Sequence, residues 1–198
     1  MEPAQLAEQD KLYGLVGKAL SQWADLELKF HLLAIRCWQD SEIEQVSELI
    51  DAVIAFEAKL KLVGLLVKRY SKDKGAIKIW PYMVSWILKL KKKRDRIAHG
   101  IVTHDKYSNR VVVLPYISFA NLDRDSFNGA MTEHDIQTHI SLFEEAAFLV
   151  LEFSMVVLGK ESLPQDIDAR AQQRLLSFRV KAGLTQEGSQ SPPQSSQA

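Results

Sequence analysis

The chain has 198 residues, of which 46% are hydrophobic and 25% charged, and its 25 Lys+Arg balance 25 Asp+Glu to a formal net charge of zero. This composition supports one core-bearing domain and excludes global disorder. Neutrality argues against a protein that coats nucleic acid by bulk charge, but leaves room for a local basic patch.

The single cysteine, Cys37, excludes an intrachain disulfide and a multi-cysteine zinc site. The N-terminal residues lack a positive region followed by an apolar core, so no secretory signal is expected. No run approaches ~18 uninterrupted apolar residues, so no transmembrane helix is expected. The composition predicts a soluble, cytoplasmic protein of a reducing compartment.

Residues 5–39 are predicted as one long amphipathic helix. Val16, Leu20, Trp23, Phe30, Ala34 and Cys37 recur at threes and fours, and Leu15, Leu26 and Leu33 widen the stripe. Ser41 and Glu44 form a capping-box pattern that opens a second block reaching about Tyr70. A joint at Asp51-Ala52-Val53 leaves open whether that block is one helix or two. Ser71 to Gly75 reads as a polar connection. The third block is predicted to start near Trp80, with Pro81 in the first turn, where no intrahelical N–H is lost. It runs through Ile87, Leu90 and Arg94 to His99, and Gly100 stands at the position of a C-cap glycine.

Ile101 to Tyr116 reads as a small β-hairpin. Its second strand is the β-branched run Val111-Val112-Val113 with Leu114, ended by Pro115. Residues 118–131 read as a loop. Thr132, Glu133 and Asp135 open a fourth helix carrying Ile136, Ile140, Phe143, Ala147, Val150 and Phe153. After Pro164 a shorter amphipathic helix runs to about Val180. The Gly, Ser, Gln and Pro residues of 183–198 predict a disordered tail. The expected fold is all-α: one domain over 1–182, an up-and-down bundle of about four main helices with a hairpin between the third and fourth.

Two polar residues break the apolar pattern. Glu27 lies four after Trp23 and three before Phe30, aimed at the buried stripe of the first helix. A carboxylate there needs a partner or a cleft, because an isolated buried charge costs several kcal/mol. Arg94 lies seven after Ile87 on the inner face of the third helix, and His99 follows five residues later. Asp95 sits four before His99, placed to fix its tautomer. Arg94 offers a planar fork for phosphate oxygens, and a histidine near neutral pKa suits acid–base work. The plainer alternatives are an Arg94–Glu27 ion pair and a histidine that meets the helix dipole.

The stretch Arg94-Asp95-Arg96-Ile97-Ala98-His99-Gly100 resembles the signature of the HEPN superfamily, an Arg, four to six residues, then a His, with a polar residue first among those between. In that family the motif lies late in a helix of a four-to-five-helix bundle. Glu27, in Trp-Ala-Asp-Leu-Glu-Leu, is similar to the first-helix acid of many members. The resemblance implies a metal-independent endoribonuclease with no cofactor, acting as a homodimer whose two motifs face one cleft. Arg94 and His99 would be catalytic, with Asp95 and Glu27 supporting. The expected product is a 2′,3′-cyclic phosphate, and DNA, lacking the 2′-hydroxyl, would be inert. Such proteins often belong to toxin–antitoxin or phage-defence systems, which implies a separate antitoxin or regulatory protein. Other members are catalytically silent and bind a partner protein or a nucleotide.

Lys91, Lys92, Lys93 and Arg96 crowd the motif and are candidate RNA contacts; a solvated lysine face is the alternative. His31, His134 and His139 lack metal-ligand spacing, so no metal site is expected. Cys37 falls on the apolar stripe and reads as a core residue. His104 and Asp105 adjoin the motif in sequence, and nothing in their spacing places them in a site.

Overall fold

The structure is a computed structural model that describes residues 3–38, 43–115, 127, 129–159 and 169–184. Among these residues the chain forms six helices and one two-stranded antiparallel hairpin: α1 (Pro3–Trp38), α2 (Ile43–Ala52), α3 (Phe56–Tyr70), α4 (Lys74–Ala98), β1 (Ile101–Asp105), β2 (Arg110–Leu114), α5 (Glu133–Val157) and α6 (Ala169–Lys181). The all-α expectation with a hairpin between two main helices holds, but the helices number six rather than about four.

The apolar stripe of α1 predicts its buried face. Trp23, Leu26, Phe30, Leu33, Ala34 and Cys37 are all buried, while Leu15, Val16 and Leu20 pack at its edge. α5 lies along α1 and also meets α4 and α6. It is therefore buried on several sides, including at Phe143, Leu149, Val150 and Phe153. Aromatic edges join the helices at the centre. Trp23 meets Phe56 at 5.1 Å and Phe143 at 5.3 Å between ring centroids. Such edge-to-face pairs add to the area they bury. Gly64 on α3 admits the Trp80 indole so closely that a Cβ there would lie 2.6 Å from Nε1.

The block from Ser41 to Tyr70 is two helices, broken at residues 53–55. Ser41 itself lies outside the described residues. α4 starts at Lys74, six residues before the expected Trp80. Asp73 is its N-cap and accepts from the Gly75 N–H at 2.6 Å, and Ala76 and Ile79 in the added turns are fully buried. Cap and burial together outweigh the poor helix propensity of glycine. Pro81 is therefore inside the helix rather than in its first turn. It leaves the Ile77 carbonyl without its usual intrahelical donor.

The hairpin pairs Ile101 with Leu114 through to Asp105 with Arg110. Asp105 closes its turn, accepting from the Tyr107 N–H at 2.9 Å and from the Ser108 hydroxyl at 2.5 Å, and Asn109 takes the left-handed conformation at φ 55°. Gly100 stands just past the His99 C-cap, where a cap glycine was expected, but without the left-handed conformation such glycines often take: among the described residues the positive-φ glycines are Gly159 and Gly183. It is needed for close approach instead. A Cβ there would collide with Val113 Cγ1 and come within 2.8 Å of the Arg96 carbonyl oxygen.

Of the expected loop at 118–131, Met131 forms a β-bridge with Val113; residues 118–126 and 128 lie outside the described residues. Thr132, expected with Glu133 and Asp135 to open this helix, is the N-cap of α5 and forms a capping box with Asp135. α6 docks on α5 through an Arg174 Nε–Glu145 bond of 2.7 Å, with the guanidinium 4.9 Å from the Trp86 ring centroid. Pro164 and the predicted tail from 185 onward fall outside the described residues.

Candidate functional site

Lys91, Arg94, Asp95 and His99 succeed one another at helical spacing, so the last turns of α4 present all four on one side. Trp23 and Glu27, one turn apart on α1, face them. Ile54 and Phe56, at the break between α2 and α3, and Lys59 on α3 complete the wall. These groups enclose a solvent-open cleft of about 390 Å³. Thus the structure brings Glu27, Lys91, Arg94, Asp95 and His99 together around one cleft.

Arg94 is half-buried. Its Nη1 donates to Asp95 Oδ1 at 3.1 Å, and its guanidinium carbon lies 5.8 Å from the Trp23 ring centroid. Its Nε is buried and has no hydrogen-bond partner. The same indole donates from Nε1 to Glu27 Oε1 at 2.5 Å. Glu27 makes no ion pair with Arg94; it holds the platform on which Arg94 rests. The simple ion-pair alternative is therefore not what the structure contains.

Asp95 does not bond the His99 side chain. It accepts from Lys91 at 2.8 Å as well as from Arg94. Partial burial opposes the Asp95 charge, yet these two hydrogen bonds and charges outweigh it and hold the carboxyl below its ordinary value. The Asp95 hydrogen bond in turn raises the Lys91 ammonium above its ordinary value, against a desolvation effect, with help from Glu57 at 3.7 Å. His99 is the C-cap of α4, at φ −104° and ψ 7°. Its backbone N–H reaches the Asp95 carbonyl at 3.0 Å, while its ring is exposed and makes no hydrogen bond among the described residues. Leaving the helical path turns the side chain away from the carboxylate one turn earlier.

The basic residues divide. Lys91 lines the cleft. Lys92 and Lys93 are exposed and do not line it. Arg96 points to the hairpin side and donates to the Gly129 carbonyl at 2.5 Å. It braces the approach to α5 instead of offering a free RNA contact.

The remaining candidates lie elsewhere. His31 is held by Ser47 at 2.9 Å and Asp51 at 3.4 Å. His104 meets Asn109 at 3.1 Å on the hairpin. His139 is half-buried over Phe143; burial, and then the nearby Lys93 charge, lower its proton affinity. Burial pushes the Cys37 thiol up to about 12, which makes it unreactive. No cluster of three His, Cys, Asp or Glu able to hold a metal occurs among the described residues.

Sequence reasoning missed the Trp23 platform and the contribution of Phe56 and Lys59. Trp23 stood on the apolar stripe and read as core, which it also is. Lys59 follows a helix break whose angle no local pattern encodes.

No protein-family model, no curated protein and no solved structure matches this chain. No described helix is long and apolar enough to cross a membrane.

Proposed function

We propose that the protein is a HEPN-type endoribonuclease that cleaves RNA by attack of a ribose 2′-hydroxyl on the adjacent phosphate. The observation that carries this reading is the shared, solvent-open cleft of Arg94 and His99, with the His99 ring exposed and uncommitted. Arg94 is held by Asp95 and Trp23 yet keeps donors for a phosphate oxygen, so its charge meets the negative charge that develops on phosphorus. His99 takes the 2′-hydroxyl proton as the 2′-oxygen bonds to phosphorus. The bond to the 5′-oxygen breaks, and that oxygen leaves with a proton. A homodimer with facing clefts supplies a second imidazole to give it. Lys91 adds positive charge beside the phosphate, while Glu27 acts through Trp23 as a positioning residue. Activity of this kind suits a toxin–antitoxin or phage-defence role, with a separate protein as antitoxin.

The second reading is a catalytically silent HEPN-like dimer that binds a partner protein or a nucleotide. The pairing of Asp95 with Lys91 rather than with His99 favours it, because no carboxylate among the described residues then orients the imidazole.

End-labelled single-stranded RNA incubated in EDTA with wild type and with His99→Ala separates the two. Cleavage by wild type alone, leaving 2′,3′-cyclic phosphate ends, supports the nuclease. A loss of about 10²-fold or more is expected for the variant. Absence of cleavage by either protein favours the silent module.

A further inference from the structure

A second cavity opens beside the cleft. It measures about 140 Å³ and lies between α1, α2 and α3, with walls from Leu28, Phe30, Ile50 and Phe56. An apolar cavity of about 150 Å³ holds one six-membered aromatic ring. Glu27, Phe56 and Lys59 line this cavity and the Arg94–His99 cleft alike, so the two adjoin across these three side chains. His31, hydrogen-bonded through Nε2 to Ser47 on α2 and with Nδ1 3.4 Å from Asp51, keeps the far wall in place.

The polar groups at the junction are unusual. Among the described residues Glu27 accepts only from the Trp23 indole, and the Lys59 ammonium has no ion-pair or hydrogen-bond partner. Both face the same two spaces, yet no ion pair joins them. A carboxylate and an ammonium held apart at the mouth of an apolar, aromatic-walled cavity suit a planar ligand that carries an N–H donor beside an acceptor. A nucleobase is such a ligand.

Resting on the nuclease reading, we infer that this cavity is a base-binding subsite, which takes the unpaired base of a nucleotide whose phosphate lies at Arg94, and prefers cytosine. The single ring fits the cavity. The exocyclic amine of cytosine donates to Glu27, and its ring nitrogen and carbonyl accept from Lys59. Uracil presents a carbonyl oxygen where cytosine has the amine, and that oxygen meets the Glu27 carboxylate unfavourably. Phe56 supplies an aromatic wall, and base–aromatic stacking is sequence-tolerant, so the Glu27 carboxylate carries the discrimination.

The test is calorimetric titration of the full chain with cytidine 2′-monophosphate, uridine 2′-monophosphate and ribose 5-phosphate. Cytidine monophosphate is expected to bind at least about tenfold more tightly than ribose phosphate, with uridine monophosphate between. Phe56→Leu is expected to erase most of the advantage over ribose phosphate, with circular dichroism unchanged. Glu27→Gln is expected to narrow the gap between cytidine and uridine. Equal binding of cytidine monophosphate and ribose phosphate, or no binding of either, overturns the subsite. RNA cleavage by the same preparation reports separately on the nuclease. Cleavage without base preference overturns the subsite alone; cytidine-selective binding without cleavage overturns the nuclease and leaves the subsite standing.

Discussion

The guanidinium of Arg94, on α4, rests 5.8 Å from the ring centroid of Trp23, on α1. The indole thus serves two charges at once, Arg94 through its π-face and Glu27 through its N–H at 2.5 Å. The arrangement orients the Arg94 guanidinium without pairing it to the nearby Glu27 carboxylate, which suits the phosphate contact proposed for it. Lysine cannot reproduce a planar group stacked on a ring. Arg94→Lys is expected to lower RNA cleavage by about tenfold or more and to change stability by less than about 1 kcal/mol. Cleavage rate and a denaturant melt, measured on one preparation, check this; a large stability loss with unchanged cleavage would contradict it.

Asp95 serves Lys91 and Arg94, not the His99 ring. Its carboxyl is held below the ordinary range and the Lys91 ammonium above its own, so the pair stays charged through neutral pH; stability from it is lost as pH falls through the lowered Asp95 value or rises through the raised Lys91 value. Asp95→Asn is therefore expected to weaken substrate affinity severalfold while leaving the pH profile of kcat in place. A shift of that profile would mean that Asp95 tunes His99 after all.

Gly100 has no room for a side chain. An added Cβ meets Val113 Cγ1, itself fully buried, and the Arg96 carbonyl oxygen at 2.8 Å. Gly100→Ala is expected to cost about 1–3 kcal/mol, read as a lower urea midpoint with an unchanged slope. Because Gly100 follows His99, cleavage is expected to fall as well.

Glu152 on α5 is buried at 2% exposure, and its Oε1 lacks a partner. Burial raises its pKa, opposed only by a hydrogen bond from Gln172. The folded state therefore holds the proton more tightly than the unfolded chain does. The stability this gives is complete below the ordinary glutamate value and is lost as pH rises through the raised folded value. Glu152→Gln removes the charge and keeps the shape. It is expected to raise the melting temperature at pH 7, where a buried unpaired polar group typically costs about 1–3 kcal/mol, and to have little effect near pH 4. A uniform effect across that range would contradict the assignment.

Much of this molecule is written in short-range pattern. The threes and fours of α1, the Thr132–Asp135 cap of α5 and the β-branched run of β2 each depend on residues close in sequence, and each folds as its period dictates. The common side of Arg94 and His99 is legible for the same reason. The start of α4 was not legible. Gly75 and Pro81 suggest a boundary locally, but Asp73 caps the helix earlier and Ile79 is fully buried in the added turn.

Partners chosen across helices were beyond the local pattern too. Asp95 could face His99 or Lys91 at equal spacing. The ammonium wins because it brings a full charge and stays on the helix, whereas His99 leaves it at the cap. The Trp23 platform and the Lys59 contribution depend on how α1, α3 and α4 meet, and the second cavity on how α1, α2 and α3 meet. By itself the sequence determined the helical class, the buried stripe of α1, the hairpin and the residues of the motif, because periodic burial and capping act over a few residues. Tertiary structure alone decided which charges pair and which remain open to a ligand, because those distances are set by the packing of side chains far apart in the chain.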